Sequence, residues 1–421
     1  MSHLLHSAKI AAGMTTKRTA FTGPLWVQIG LTNPCNHRCV MCWDHPTHVP
    51  EDSPFPTVAS AKFYEDHPEI DRDKGFFDLG MLEDLADDLR AMGTKRVELV
   101  GRGEPTMHPK FERCVEILKE RDLHVGIATN GSLLHEQRAE RMVQLGLNRI
   151  VLSLNAGTRE TYPSIHTTET PENFDKVLRN LANLRRIKEK HGKEDPRVMV
   201  SFVISRPNRH EAFDMLERAR EIGADQVLFK FAIAYPGIEF IELDEEEKRA
   251  FSGRLGEYVE RARSYGIDLK VEPPIGDMTA DRRLYHNKTE TVYSKIPCYI
   301  GWYFALVTAE GSVSPCCQCM DQMGHLKTQR FKDVWFSDRY AEFREQQKTF
   351  PERMAKGIKT AAQCACDECA FEKVNTTVYN TLHFYNPVHL HDAQREFTLT
   401  QLLPAVLTGK TTRGAKAVKG E

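Results

Sequence analysis

The chain alternates short apolar runs with longer segments whose apolar positions recur every three or four residues. LWVQIGL (25–31) is an apolar run of strand length. Leu79, Leu82, Leu85, Leu89 and Met92 then mark one face of a helix that stops at Gly93. The couple repeats. RVELVG (96–101) precedes a helix near 110–121, VGIAT (125–129) a helix ending at Gly146, and RIVLSLN (149–155) a helix carrying Phe174, Val177, Leu178, Leu181 and Leu184. RVMVSFVIS (197–205) leads to a helix ending at Gly223, and QVLFKFAI (226–233) to a charged helix near 245–265; DLKVE (268–272) reads as one more strand. Such repetition predicts parallel strands with right-handed helical crossovers and chemistry at the strands' C-terminal ends. Six or so units fit either a doubly wound sheet or a partial barrel.

Beyond Pro273 the pattern changes to strand-like YFALVT, a turn at Glu310-Gly311, then a cysteine-rich hairpin and helices. A second domain is expected there. The expected division is a flexible extension over 1–22, a barrel over 23–275, a small α+β domain over 276–385, and a C-terminal helix with a disordered tail over 386–421. Residues 45–77 hold five prolines and read as a lid or as a solvated insertion. The first residues, MSHLLHSAKIAAGM, lack a basic segment followed by an apolar one, so no signal peptide is expected. The longest apolar run, Tyr299–Ala309, falls short of the ~20 residues that cross a bilayer. Over 421 residues, 57 Lys plus Arg balance 59 Asp plus Glu, which gives no reason to expect nucleic acid or an acidic membrane as partner. A cytoplasmic location follows by default.

The cysteines change the picture. Eleven are present, and a reducing cytosol argues against structural disulfides. Three sit together at Cys35, Cys39 and Cys42, and seven lie between Cys298 and Cys369; Cys114 stands alone on an apolar helical face with Phe111, Val115 and Leu118 and reads as core packing. Three thiolates on one loop after the first strand suit three irons of a [4Fe–4S] cluster, with the fourth iron open. Zinc, which wants four ligands, remains the alternative reading of the spacing.

The loop resembles the CxxxCxxC signature of the radical S-adenosylmethionine (SAM) superfamily, with Met41 in place of the usual aromatic residue and Trp43 after the third cysteine. The second strand ends in Gly101-Arg-Gly-Glu-Pro105, similar to the family's GxGEP form; the third ends in Thr129-Asn-Gly131 and the fourth in Ser153-Leu-Asn155. The resemblance spans roughly residues 25–235. It implies a partial (β/α)6 TIM-like barrel whose open iron chelates SAM and delivers an electron, releasing a 5′-deoxyadenosyl radical. It also implies SAM contacts at Met41, Trp43, Gly103, Glu104, Asn130, Ser153, Asn155, Ser205 and Arg206, with Gly103 and Glu104 at the methionyl amine.

Cys298, Gly311, Cys316 and the pair Cys366–Cys369 resemble the SPASM or twitch extension of that family, as do Gly324-His-Leu, Phe331-Lys-Asp-Val-Trp335 and Phe343-Arg344. The resemblance implies one auxiliary [4Fe–4S] cluster on Cys298, Cys316, Cys366 and Cys369. Cys317, Cys319 and Cys364 fall outside the full seven-cysteine spacing and are candidates for a further cluster; structural zinc is the local alternative. Lys230, Tyr235 and Glu239, near late strand ends, are candidate general bases. The expected reaction is reductive SAM cleavage followed by oxidation, dehydrogenation or rearrangement of a small molecule such as a sugar or natural-product intermediate, served by a flavodoxin- or ferredoxin-type electron donor. Peptide cross-linking is the second reading, and a non-catalytic zinc- or cluster-binding protein the third.

Overall fold

The computed structural model describes residues 3–42, 44–45, 47, 75–234, 237–272, 292–317, 319, 321–357 and 371–384. The predicted strands are present as β1 (Trp26–Gly30), β2 (Arg96–Val100), β3 (His124–Thr129), β4 (Arg149–Ser153), β5 (Arg197–Ile204), β6 (Gln226–Phe231) and β7 (Asp268–Glu272). They pair in chain order and in parallel. Helices such as Leu79–Ala91, Phe111–Glu120 and Pro171–Lys190 lie between them in sequence. The Asp78 side chain caps the first of these by accepting from the Met81 amide, which fixes where that helix starts.

Alternation along each strand separates two faces. Val27, Val97, Ile127, Leu152, Phe202 and Phe229 are wholly buried on the helix side, where each contributes roughly 1.5–3 kcal/mol of burial. The rings of Phe229, Phe251 and Tyr258 meet edge-on there. The other face lines the lumen and is more polar. At its N-terminal end Glu98 accepts from Arg96 at 2.7 Å, and Arg149 lies 3.8 Å away. A β-carbon at Gly126 would lie 2.2 Å from the Glu98 carboxylate, so glycine there leaves room for this charged layer.

The second domain is less separate than expected. β8 (Phe304–Val307) pairs in parallel with β1, and β9 (Ser312–Ser314) and β10 (Gly324–His325) continue antiparallel, giving one ten-stranded sheet. The edge that β1 would otherwise present is covered by hydrogen bonds to this later segment. The expected boundary near 275 lies outside the described residues, as does the tail beyond 384. The N-terminal extension also differs from expectation: His3–Thr15 is a helix, with Ile10 and Met14 buried. Its His6 ring bonds the Gly23 carbonyl at 3.0 Å, Lys348 donates to the Met14 carbonyl at 2.8 Å, and Trp302 donates to the Thr19 carbonyl at 2.8 Å. Two apolar residues one turn apart, separated by Ala11, Ala12 and Gly13, are too weak a pattern to reveal that docking. Among the described residues no helix is long and apolar enough to cross a membrane.

Arg344 holds the C-terminal part together. It is buried, donates to the carbonyls of Gly301 and Trp335 at 2.8 Å each, and lies over the Trp335 and Tyr340 rings at 4.7 and 4.5 Å. Burial holds its guanidinium down to about 10. Arg344→Met keeps the volume but strips two buried carbonyls of their donors, and denaturant unfolding should show a loss of about 2–4 kcal/mol; an unchanged midpoint would remove this residue from the packing argument.

Candidate functional site

The cysteine loop is built from the ends of neighbouring strands. The β1–β2 pairing continues past the strands: Leu31 donates to Val100, Gly103 to Thr32 and Glu104 to Pro34, each at 3.0 Å through the backbone. A β-carbon at Gly103 would lie 2.0 Å from the Pro34 carbonyl oxygen and 2.6 Å from that of Asn33, so only glycine permits the approach. From the end of β3, Asn130 donates to Asn36 at 2.9 Å, and Asn36 donates to Ser132 at 2.9 Å. After β4, residues 165–168 run antiparallel to 38–40: Val40 donates to Ile165 at 2.9 Å and Thr167 to Arg38 at 2.8 Å. His45, beyond the third cysteine, folds back to the Asn33 carbonyl at 2.7 Å.

The three thiols sit in this clamp. Burial pushes Cys35 up to about 11 and Cys42 to about 12, and raises Cys39 most strongly. After burial, Cys42 and Cys35 are the next causes at Cys39, because neighbouring thiolates repel one another. Neighbouring half-buried thiols that resist ionisation alone are relieved by a bound cationic core. Two histidines surround Cys39. His166 Nδ1 lies 3.1 Å from its Sγ while Nε2 meets the Leu154 carbonyl at 2.8 Å, and ligand atoms of His37, Cys39 and His166 fall within 4.8 Å of one another. His166 has no spacing relation to the cysteines in sequence, so only its place after β4 reveals it.

The other predicted residues divide. Glu104 is buried, and its carboxylate accepts from Thr106, from the Thr129 hydroxyl at 2.6 Å and from the Asn130 amide at 2.8 Å. Burial raises its pKa, and those hydrogen bonds oppose the rise. Asn155 adopts φ 54°, its side chain accepting from the Val203 amide at 3.0 Å and its carbonyl from Asn208 at 2.7 Å. Asn208 also accepts from the Ser205 amide at 2.6 Å, joining the ends of β4 and β5. Ser153 lies in register with Ser201. Met41 packs with Val40, Ile165, Ala232 and Ile241. Arg206 instead turns to Glu247 at 3.1 Å and Asp244 at 3.7 Å, half exposed, since those carboxylates lie beside it. Glu239 accepts from the Gly237 amide at 2.9 Å on the surface. Trp43 and Tyr235 lie outside the described residues.

Of the second cluster, Cys298 and Cys316 are buried and Cys317 is exposed. A hydrogen bond from Cys316 holds the Cys317 thiol below its usual range. Cys319 is disulfide-bonded, contrary to the expectation that none would be. Cys364, Cys366 and Cys369 lie outside the described residues. The turn before this cluster reaches the first: Asn33 donates to Glu310. Cys114 is core, wholly buried beside His108.

The sequence model of the Radical SAM superfamily matches residues 29–190 and that of the SPASM iron–sulfur cluster-binding domain matches 298–370. The chain belongs to the radical SAM superfamily. It is 21% identical to the tungsten-containing aldehyde ferredoxin oxidoreductase cofactor-modifying protein of Pyrococcus furiosus over 76% of this chain and 83% of that one. It is 24% identical to the AdoMet-dependent heme synthase of Methanosarcina barkeri, covering 59% of this chain and 70% of the other. Streptococcus suis SuiB bound to precursor peptide SuiA shares the fold, with a TM-score of 0.57 and 16% identity over 81% of this chain and 70% of that one. As a radical SAM protein with a SPASM segment, the chain takes a [4Fe–4S] cluster with SAM and auxiliary iron–sulfur chemistry. The convergent thiols of Cys35, Cys39 and Cys42 fit that first group.

Two expectations test the clamp. Gly103→Ala drives a methyl into backbone on both sides, so the melting temperature should fall and amides of residues 33–42 should exchange faster with deuterium; unchanged exchange would mean the loop does not depend on this contact. Burial pushes His37 down to about 3 and His166 to about 4. Unfolded, each binds a proton near 6.5, so the stability carried by the neutral ring is present above that pH and drains away as pH falls toward 4. In iron-free protein taken from pH 7 to pH 5, His166→Gln should lose about 2 kcal/mol less stability than wild type; parallel losses would show that His166 is not buried neutral.

Proposed function

We propose that this radical SAM enzyme acts on a small, non-peptide molecule, with Cys35, Cys39 and Cys42 holding the SAM-binding cluster. The observation that carries it is the loop itself: three half-buried thiols, close enough to act on one another's ionisation and fixed by the ends of β2 and β3 and by the segment after β4. When bound, the group supplies reductive cleavage of the SAM sulfonium and a 5′-deoxyadenosyl radical able to take hydrogen from carbon. The protein's part is to fix and shield. Gly103 and Glu104 brace the loop through backbone bonds, Asn36, Asn130 and Ser132 hold its centre, and Val40 and Met41 join the apolar cluster that excludes water. Ser153 and Asn155, at the end of β4, are the proposed polar contacts for SAM.

Cys298, Cys316, Cys366 and Cys369 are the proposed ligands of the auxiliary centre. Four thiolates leave no open iron, which suits electron transfer and hence net oxidation or rearrangement of the substrate, with a flavodoxin- or ferredoxin-type protein as the external donor. The small-molecule reading is favoured by what its sequence relatives are named for: cofactor modification, heme synthesis and, at 27% identity over 54% of the chain, GTP 3′,8-cyclisation in Chlorobaculum tepidum. Peptide modification is the second reading. It rests on SuiB with its precursor peptide, a likeness of fold alone.

The test is anaerobic reconstitution with iron and sulfide, an iron count, and a deoxyadenosine assay with dithionite and SAM. Wild type should carry about eight irons, and Cys42→Ala should lose about four of them together with deoxyadenosine formation. A fully loaded wild type that makes no deoxyadenosine would overturn the reading. Zinc in the second site would remove the auxiliary electron role.

A further inference from the structure

Among the described strand residues, the cations that face the barrel lumen are paired with carboxylates, with one exception. Arg96 and Arg149 flank Glu98, and Lys270 lies 3.0 Å from Asp268. Among the described residues Lys230 has no hydrogen-bond or ion-pair partner, although it sits on β6 between Phe229 and Phe231. Those two rings pack against Phe251 on the helix side, so the Lys230 side chain faces the lumen. Its register partners are Val203 on β5 and Glu272 on β7. Glu272 is exposed and forms no ion pair with it.

Lys230 lies at the end of the lumen where the cysteine loop stands. Val203 packs into the apolar cluster that contains Met41 and Val40, and Ala232 of that cluster follows two residues after Lys230. Ser201, buried and diagonal to Lys230 across β5, adds a hydroxyl on the same face. The lysine is crowded by protein yet keeps some contact with water, as a side chain lining a cleft does. Burial holds its pKa below the usual lysine range, and the Glu272 charge only partly offsets this. An ammonium kept in such a place with its counter-charge unbonded and exposed is costly unless an anion arrives from outside the chain.

We propose that Lys230 holds an anionic group of the substrate, a carboxylate or a phosphate, in the lumen facing the cysteine loop. This deepens the proposed function and rests on it: the substrate class becomes small molecules bearing such an anion, and the ammonium sets which carbon is presented to the radical by fixing the molecule's charged end. Lys230 thereby acts as a binding cation and not as the general base that its position at a late strand end suggested.

The test uses reconstituted enzyme and a limiting amine-acylating reagent, with labelling of each lysine read by peptide mass spectrometry. Inorganic phosphate and succinate are the probes, at matched ionic strength. Labelling at Lys230 but not at Lys270 should fall saturably, about tenfold at ten times the half-protecting concentration. Protection by phosphate alone assigns a phosphate-bearing substrate; protection by succinate alone, a carboxylate. Lys230→Met should abolish anion-induced thermal stabilisation and Lys230→Arg should retain it. No saturable protection by either probe, or equal protection at Lys270, overturns the proposal. Deoxyadenosine is assayed on the same preparations. Its formation without protection removes this inference and leaves the proposed function standing, whereas protection without it removes the proposed function and leaves Lys230 as an anion site with no radical substrate.

Discussion

The backbone of residues 32–34 lies against the Gly103–Glu104 peptide at a distance that admits no side chain between them. That contact extends the β1–β2 ladder beyond the sheet, so the cysteine loop begins as a continuation of regular pairing. From this start the loop's path is determined by successive hydrogen bonds to the ends of β3 and to the segment after β4. Fixed geometry is what a metal centre asks of a loop, because thiolates must converge without relying on each other. Burial pushes all three thiols upward, and a neighbouring thiolate adds to the rise at Cys39 and Cys42.

Much of this was legible in the sequence. Strand–helix alternation gives the parallel sheet because period 2 and period 3.6 are both visible in apolar residues, and the three-cysteine spacing gives the chemistry because the ligands are local in sequence. The roles of the strand-end residues were harder to read. Gly103 and Asn130 were expected at SAM, yet the structure shows Gly103 admitting the Pro34 carbonyl and Asn130 gripping Asn36. A motif says that a position is constrained, and a backbone contact and a ligand contact constrain it alike. His166 is hidden because its partner is distant in sequence: 127 positions separate it from Cys39. The pairing of Arg206 is hidden in the same way, since the acidic helix start that attracts it lies forty-odd residues further on.

The lumen carries a division of charge that the sequence hides. Its N-terminal end is closed by the Arg96–Glu98–Arg149 layer, for which Gly126 leaves space. Strand residues of alternating polarity look like an ordinary half-exposed sheet, and only closure of the strands toward a barrel turns that face into an interior. Polar side chains that seemed solvent-directed therefore become an enclosed, low-dielectric surface where single charges matter.

β8 gives the protein a particular kind of indivisibility. Because this late segment supplies a hydrogen-bonding neighbour of β1, an early and a late stretch of the chain meet at the strand from which the cysteine loop departs. A ribosome must finish nearly three-quarters of the chain before the first strand acquires its second neighbour. Until then β1 offers an open ladder edge to any passing strand, so the nascent protein has a window of vulnerability to mispairing that ends only when the SPASM segment has emerged. Shortened versions that omit that segment keep the open edge permanently.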